Sequence, residues 1–316
     1  MPKALVLSIE QCEKPVSKDI PFVRHLDFEY GRVDQVSPLI RRVIAPNPGL
    51  FTFTGTGTYI VGQGHVAVID PGPTDDRHLA AIGAALDRDI VSHIFITHTH
   101  NDHSPAAAPL KKATGAKTYG YGRHGADKPE HGMVVEQGGD RDFVPDVELR
   151  HGDVIKGKGW TIECVHTPGH TSNHMCYGLI EEHALFTGDH IMGWSTSVIA
   201  PPDGDMRDYM ASLDLLLARN DKILWPTHGP PVLEPNPLIN AFIDHRRARE
   251  NQIIACLRDG LHMIEDMVPH IYVDIDKQLY PAAALSVYAH LLHLVDAERV
   301  RCEEQPTLQS RYRNND

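Results

Sequence analysis

The sequence is poor in cysteine and has no long apolar run. Its 316 residues include five cysteines, an odd number without a C-x-x-C pair, which indicates reduced thiols in a cytosolic setting. No segment approaches the ~20 apolar residues of a membrane-spanning helix. Residues 1–10 have too short an apolar core for a signal peptide and lack the composition of a transit sequence. We therefore expect a soluble, cytoplasmic protein with no membrane segment.

Basic residues are also in deficit. The formal net charge of -12 argues against a surface that serves throughout to hold nucleic acid, although a local basic groove remains compatible with it. No low-complexity stretch or short repeat is present. The length exceeds that of a usual single domain, which favours one large domain with a smaller appendage.

Histidine, in contrast, is abundant, with 21 residues. The densest cluster is His98-Thr99-His100-Asn101-Asp102-His103, directly after a β-branched, apolar segment. A single histidine is rarely a metal ligand, but this density at the end of a strand indicates a metal site. Alternate side chains of an extended chain point to the same side, so His98 and His100 can bind one ion. Asp102 and His103 can then bind a second.

The segments around this cluster alternate between strand and helix patterns. Spacing and turn residues predict a β-β-α-β-α-β order, with strands at 51–60, 65–70, 91–96 and 117–120 and helices at 75–89 and 105–114. Residues 121–146 are rich in Gly, His, Asp and Pro and predict a long loop. Such a loop is either a solvated insertion or a segment that shapes the substrate site, and the sequence favours neither.

Three further polar residues each follow a predicted short strand. Strands at 160–165, 184–187 and 223–225 precede His170, Asp189 and His228. Each residue alone would more often be structural than catalytic. Strand ends that share one sheet edge need no proximity in sequence to form one site, so these residues and the histidine cluster together predict a single metal centre.

The order of these motifs resembles that of the metallo-β-lactamase superfamily, and Asp70 in Ile69-Asp70-Pro71-Gly72 matches its first motif. The resemblance covers about residues 51–229 and implies an α/β (α+β) fold, the αββα sandwich with metals at one rim. It implies that Asp70 accepts a hydrogen bond from a ligand imidazole. By position, it also implies a first metal on His98, His100 and His170, a second on Asp102, His103 and His228, and Asp189 as the bridge.

The implied chemistry is that of a dinuclear hydrolase. Two divalent ions that share a water lower its pKa, so that a bridging hydroxide becomes the nucleophile and no serine or cysteine is required. Asp102 and Asp189 are the carboxylates expected to be catalytic. Imidazole and carboxylate ligands suit two zinc ions best, with iron or manganese as alternatives. Replacement of His124, His131 or His151 is expected to leave the metal content intact.

A finer resemblance involves the segments at 188–193, 201–213 and 227–230, which are similar to the group of β-lactamase-like protein 2. Helices predicted at 240–257, 263–270 and 282–295, followed by residues 299–303, resemble the winged-helix-like tail of that group. We therefore predict a catalytic domain over residues 1–236 and a helical, winged-helix-like domain over 237–316.

The predicted tail lacks the excess of positive charge that is typical of a nucleic-acid-binding surface. From Asn240 it has nine Lys or Arg against twelve Asp or Glu. Arg246, Arg247 and Arg249 could contact phosphates, but such a segment is more often a solvated helix face. We expect the tail to close over the active site or to pack in a homodimer.

Several functions are compatible with this pattern. The first is hydrolysis of an ester, thioester or lactone in a small molecule. The second is a metal-dependent endoribonuclease, supported by the finer resemblance and disfavoured by the acidic charge. The third is a mono-iron persulfide dioxygenase; flavodiiron chemistry is disfavoured because His100 stands where that pattern has Glu. β-Lactamase activity is poorly supported without an export signal, and a non-enzymatic role conflicts with the intact ligand set.

Substrate-binding residues cannot be read from the sequence. The segments expected to shape the substrate site are 121–146, 194–208 and the C-terminal helices.

Overall fold

The computed structural model describes residues 20–125, 138–273 and 275–315. The first half of the chain forms a seven-stranded sheet in sequence order. Its strands β1 to β4 are antiparallel and β4 to β7 are parallel. They span Val33–Gln35, Ile40–Ile44, Gly57–Gln63, His65–Ile69, Ile90–Phe95, Lys117–Gly120 and Val147–Glu148; helices α1, Asp76–Ala85, and α2, Ala107–Thr114, make the crossovers from β4 to β5 and from β5 to β6.

The second sheet has five strands in the order β12-β11-β10-β9-β8. They span Val154–Lys156 (β8), Thr161–His166 (β9), Met175–Leu179 (β10), Ala184–Gly188 (β11) and Ile223–Pro226 (β12). Only β11 and β12 are parallel, because helix α3, Met206–Leu217, carries the chain back between them.

The two sheets pack face to face. Tyr59 and Val61 of β3 point into a buried cluster shared with Tyr177 of β10, whereas Ile60 points to the outer face against α1. This alternation places apolar residues on both faces of the strand, as expected for a sheet covered on both sides. Helices α1 and α2 cover one sheet and α3 covers the other, which confirms the predicted αββα sandwich.

Helix α4, Pro235–Arg258, joins the sandwich to the C-terminal elements. Its first half packs with α3 through residues that include Phe242, and its second half packs with the tail through residues that include Ile253. The tail comprises α5, Ile264–Ile271, α6, Tyr280–Asp296, and a hairpin of β13, Val300–Cys302, and β14, Tyr312–Asn314. A domain division at 236/237 remains a prediction.

The strand predicted over 51–60 was wrong in its first half. Residues 50–56 form turns, and β3 begins only at Gly57. Gly55 has a φ of 127°, and a Cβ there would lie 2.0 Å from the Ala45 carbonyl oxygen, so the chain bends tightly at this point. Residues 126–137 of the predicted loop, with His131, lie outside the described residues. In the described ranges, no helix has the length and apolarity to cross a membrane.

Candidate metal centre

The seven predicted metal ligands and Asp70 meet at one edge of the sandwich. The cluster 98–103 follows β5, Asp70 follows β4, and His170, Asp189 and His228 follow β9, β11 and β12. The chain folds this way because the apolar strands are buried between the layers, and the polar residues follow where strand pairing ends. All eight residues come together, and all except His100 are buried.

Three imidazoles form the first group. Nε2 of His98 lies 3.0 Å from Nδ1 of His100, and Nε2 of His170 lies 3.2 Å from the same atom. One donor atom of each residue lies within 4.8 Å of the others. This spacing suits three nitrogen ligands around one ion.

The second group combines Asp102, His103 and His228. Nε2 of His228 is 3.1 Å from Oδ2 of Asp102, and Nε2 of His103 is 3.6 Å from the same oxygen. Oδ2 of Asp189 lies 3.4 Å from the His228 nitrogen and 3.5 Å from that of His103. It also lies 4.0 Å from Nε2 of His170 in the first group, so Asp189 is within reach of both groups.

Hydrogen bonds on the far side of the rings orient them. Nδ1 of His170 donates to the Val198 carbonyl at 2.7 Å, and Nδ1 of His228 donates to the Gly55 carbonyl at 3.2 Å. Nδ1 of His103 lies 2.9 Å from Oδ2 of Asp70. Because Nδ1 donates to a carbonyl in the first two rings, Nε2 is the nitrogen that faces the site and that a metal would bind in place of a proton.

Asp70 is fully buried and holds several elements together. Its carboxylate accepts hydrogen bonds from the Thr97 backbone N–H at 2.8 Å and from the Thr97 and Thr227 hydroxyls at 2.6 and 2.9 Å. Its φ of 47° is in the left-handed region, which aspartate tolerates better than most residues. The loops after β4, β5 and β12 are therefore joined at this carboxylate.

The charges of the site fit a cation. Burial lowers the pKa of His98 and His100 well below the usual value, so these rings are neutral. Burial would raise the pKa of Asp189, but His228 and His103 outweigh it and hold that pKa well below the usual range. Burial is likewise outweighed at His228, where Asp189 and Asp102 raise the pKa to about 10. Divalent cations could replace these protons as the charge that balances the two carboxylates.

Unpartnered atoms provide a further test of the fit. Among the described residues, Nε2 of His103 and Oδ1 of Asp189 are buried and have no hydrogen-bond partner. Buried polar atoms without partners are rare in native proteins because their desolvation is costly. Metal coordination would satisfy both atoms.

The sequence interpretation missed His174. This ring is fully buried; its Nε2 accepts a hydrogen bond from the Asp189 backbone N–H at 3.3 Å, and its Nδ1 lies 2.9 Å from the Thr167 hydroxyl. It therefore holds the backbone of the residue that lies between the two groups. Its spacing four residues after His170 is the only signal that the sequence offered.

Of the other histidines considered in the sequence, the described His124 and His151 are not members of the two ligand groups. Nδ1 of His124 is 3.0 Å from the Thr99 hydroxyl, and its ring centroid is 5.9 Å from that of His100. His151 is exposed, and His131 lies outside the described residues.

The solvated-face interpretation of the arginine patch was wrong for Arg246. That side chain is 3% exposed and lies at the junction of α4 with the sandwich. Arg249 is half-buried and stacks over the Tyr272 ring at 4.1 Å, while Arg247 is exposed as expected. The helical period explains the difference, because residues three apart, such as 246 and 249, share a face that 247 does not.

Comparison with known proteins agrees with this architecture. The family model of the metallo-β-lactamase superfamily matches residues 52–228, and that of the β-lactamase associated winged helix domain matches residues 264–308. The chain is 31% identical over 253 residues to an atrochrysone carboxyl ACP thioesterase of Claviceps purpurea, covering 77% of this chain and 75% of that protein. It is 31% identical to a β-lactamase-like protein 2 homolog of Drosophila melanogaster, covering 85% and 92%.

Solved structures show the same fold. A β-lactamase domain protein from Burkholderia ambifaria superposes with a TM-score of 0.76 at 19% identity, over 95% of this chain and 99% of that one. A metallo-β-lactamase family protein from Thermus thermophilus gives a TM-score of 0.71 at 20% identity, over 89% and 100%.

Proposed function

The chain belongs to the metallo-β-lactamase superfamily, with a C-terminal β-lactamase-associated winged helix domain, and is a metal-dependent hydrolase. From this premise we propose that it hydrolyses a thioester or related ester bond of a small molecule with two metal ions, which we assign as zinc. The observation that carries the proposal is the meeting of the two ligand groups at Asp189.

We assign the ligands by this geometry. His98, His100 and His170 would hold the first ion, and Asp102, His103 and His228 the second. Asp189 would contact both ions, since its Oδ2 lies within 4.0 Å of nitrogens from either group. Such ions lower the pKa of a shared water and polarise a substrate carbonyl.

The remaining residues of the site position these ligands. Asp70 keeps His103 oriented, and the carbonyls of Val198 and Gly55 hold His170 and His228 with their Nε2 atoms turned to the site. Asp102 and Asp189, both buried with lowered pKa values, would retain their negative charge during turnover and balance the charge of the two ions.

The buried cysteines among the described residues do not offer an alternative nucleophile. Of the described cysteines, Cys164, Cys176 and Cys256 are buried, and burial raises the pKa of Cys164 and of Cys176 to about 12. A thiol with such a pKa is almost entirely protonated near neutral pH and is a poor nucleophile. Water is therefore the nucleophile that this site favours.

We place thioesters first among the candidate substrates because several similar proteins are named as thioesterases. Atrochrysone carboxyl ACP thioesterases of several fungi are 31–33% identical to this chain over at least 71% of its length. Oxoesters and lactones undergo the same attack on a carbonyl and are therefore the next candidate substrates.

Endoribonuclease activity is the second candidate, favoured by the similarity to the Drosophila protein. The inward position of Arg246 and the stacking of Arg249 on Tyr272 weaken it, because only Arg247 of the basic patch is exposed. Phosphate binding depends on accessible cationic side chains.

A matched substrate panel tests the proposal. A thioester, its oxoester and a lactone of the same acyl group would be offered to the zinc-loaded protein beside single-stranded RNA. We expect the highest kcat/KM for the thioester. Turnover of RNA with no turnover of the three acyl substrates would contradict the proposal.

A further inference from the structure

Helix α4 places the buried cationic side chain of Arg246 against the segment that leads to the metal centre. Arg246 is 3% exposed, and its guanidinium carbon lies 5.1 Å from the centre of the Tyr209 ring. Its Nη2 donates a hydrogen bond to the Ser197 carbonyl at 2.6 Å. Among the described residues its Nε has no hydrogen-bond partner.

Ser197 is connected to the candidate site on both sides. Its hydroxyl lies 2.5 Å from the Asp189 carbonyl and 2.7 Å from the His190 carbonyl, either of which accepts its proton. The next residue, Val198, provides the carbonyl that accepts the proton of His170 at 2.7 Å. One short segment therefore contacts the backbone of Asp189 and fixes the tautomer of His170.

Tyr209 of α3 strengthens the same connection. Its hydroxyl donates to the His190 carbonyl at 3.0 Å, and its ring lies beneath the guanidinium of Arg246. The segment 189–198 is consequently held from α3 and α4 rather than by its own secondary structure.

Packing alone does not explain an arginine here. Burial of a cation with few partners is costly, and an apolar side chain of similar volume would fill the same space at lower cost. A rigid donor aimed at one carbonyl instead restricts the position of that carbonyl.

We propose that Arg246 is a positioning residue for the metal centre: it fixes Ser197, and through it the orientation of His170 and the place of Asp189. This inference rests on the proposed function, because it requires that these residues bind metal. Helix α4 would then contribute to catalysis without contacting the substrate, because displacement of the segment 189–198 would weaken metal binding by its ligands.

Metal affinity provides the test. Zinc and cobalt(II) dissociation constants would be measured on the full-length chain by competition with a chromophoric chelator, together with the visible spectrum of the cobalt(II) form. We expect Arg246→Met to weaken binding by about 10- to 100-fold, as for other outer residues that orient ligands, and to change the cobalt spectrum. Arg246→Lys should restore part of the affinity, because an ammonium can still donate to the Ser197 carbonyl.

Two controls on the same helix separate positioning from general destabilisation. Arg247→Met alters an exposed neighbour, and Glu250→Gln alters a buried charge that contacts α6 rather than the segment 189–198. Both should bind metal with unchanged affinity. Equal weakening by Glu250→Gln, or unchanged affinity in Arg246→Met, would overturn the inference.

The remaining outcomes are also decisive. If Arg246→Met does not fold, Arg246→Lys carries the test, and wild-type affinity with a wild-type cobalt spectrum in that variant would overturn the inference. If the unsubstituted chain binds neither metal, the proposed function fails, and this inference fails with it. Metal binding by the unsubstituted chain with no effect of either substitution removes only the inference.

Discussion

At the residue scale, the site depends on hydrogen-bond acceptors that hold the candidate histidine ligands by the ring nitrogen facing away from the metal centre. The Asp70 carboxylate lies 2.9 Å from Nδ1 of His103, and carbonyls hold the corresponding atoms of His170 and His228. These bonds fix which nitrogen can face a metal. Spacing and the family resemblance predicted the candidate ligands, whereas Ser197, His174 and the accepting carbonyls carry no pattern that a single sequence reveals.

Replacement of Asp70 should weaken metal binding. Asp70→Asn keeps the size of the side chain and tolerates the positive φ, but removes the charge beside His103. We expect about 10- to 100-fold lower zinc affinity, measured by chelator competition. Asp146→Asn is the matched control, because Asp146 also accepts bonds from a threonine backbone and hydroxyl, far from the site. Unchanged affinity in Asp70→Asn would assign Asp70 to turn formation alone.

Replacement of Asp189 should have a larger effect. Asp189→Ala removes the carboxylate within 4.0 Å of both ligand groups, and turnover should fall by more than the roughly 100-fold that loss of an outer residue costs. Activity and metal content would be measured together. His151→Ala, at an exposed histidine, should change neither. Full activity in Asp189→Ala would refute the assignment.

At the element scale, apolar periodicity predicted the elements beside the site well. Strand β6 matches its predicted bounds, and the helices around 75–89 and 105–114 are present. The hairpin of β1 and β2 and helix α3 were not predicted. The two strands are short, and the sequence analysis assigned no element to the segment of α3, whose helical face became evident only against β10 and β11.

A buried ion cluster joins α4 to α6. Glu250 accepts hydrogen bonds from Nδ1 of His293 at 2.7 Å and from Arg299 at 2.8 Å. Burial would raise the pKa of Glu250, but the nearby His290 and the bonded His293 outweigh it and lower that pKa, while the bond to Glu250 raises the pKa of His293. The carboxylate contributes stability above its usual pKa of 4.5, and this is lost as pH falls through the lowered value. The imidazolium contributes below its usual pKa of 6.5, and this is lost as pH rises through the raised value.

Loss of this cluster should therefore cost most near pH 6. We expect Glu250→Gln to lower the free energy of unfolding by about 2 kcal/mol there, as for a hydrogen bond to a charged group. The difference should decrease toward pH 9, where His293 loses its proton. Chemical unfolding at both pH values measures it, with Glu265→Gln at an exposed position of α5 as the control. A difference that does not vary with pH would contradict this account.

At the scale of the whole molecule, charge and the placement of the tail argue for a small substrate. The net charge is -12, and the basic patch on α4 turns mostly inward. The net charge follows from composition alone. The inward orientation of the arginines depends on how α4 packs. Helical spacing shows which arginines share a face, but not which face lies against the sandwich.

RNA binding should accordingly be weak. Fluorescence anisotropy with single-stranded RNA at low salt, where phosphate contacts are strongest, should show no saturable binding at micromolar protein. Arg247→Glu provides a comparison at the exposed arginine of the patch. Tight binding that weakens with salt and with this substitution would favour the ribonuclease alternative.

The central claim is that this edge of the sandwich holds two metal ions that act together in hydrolysis. Its most direct test is titration of the metal-free protein with zinc, with bound metal and thioester hydrolysis followed in the same samples. The account predicts that binding saturates at two zinc ions per chain and that activity rises with the second. Saturation at one ion with full activity, or activity in the metal-free protein, would contradict it.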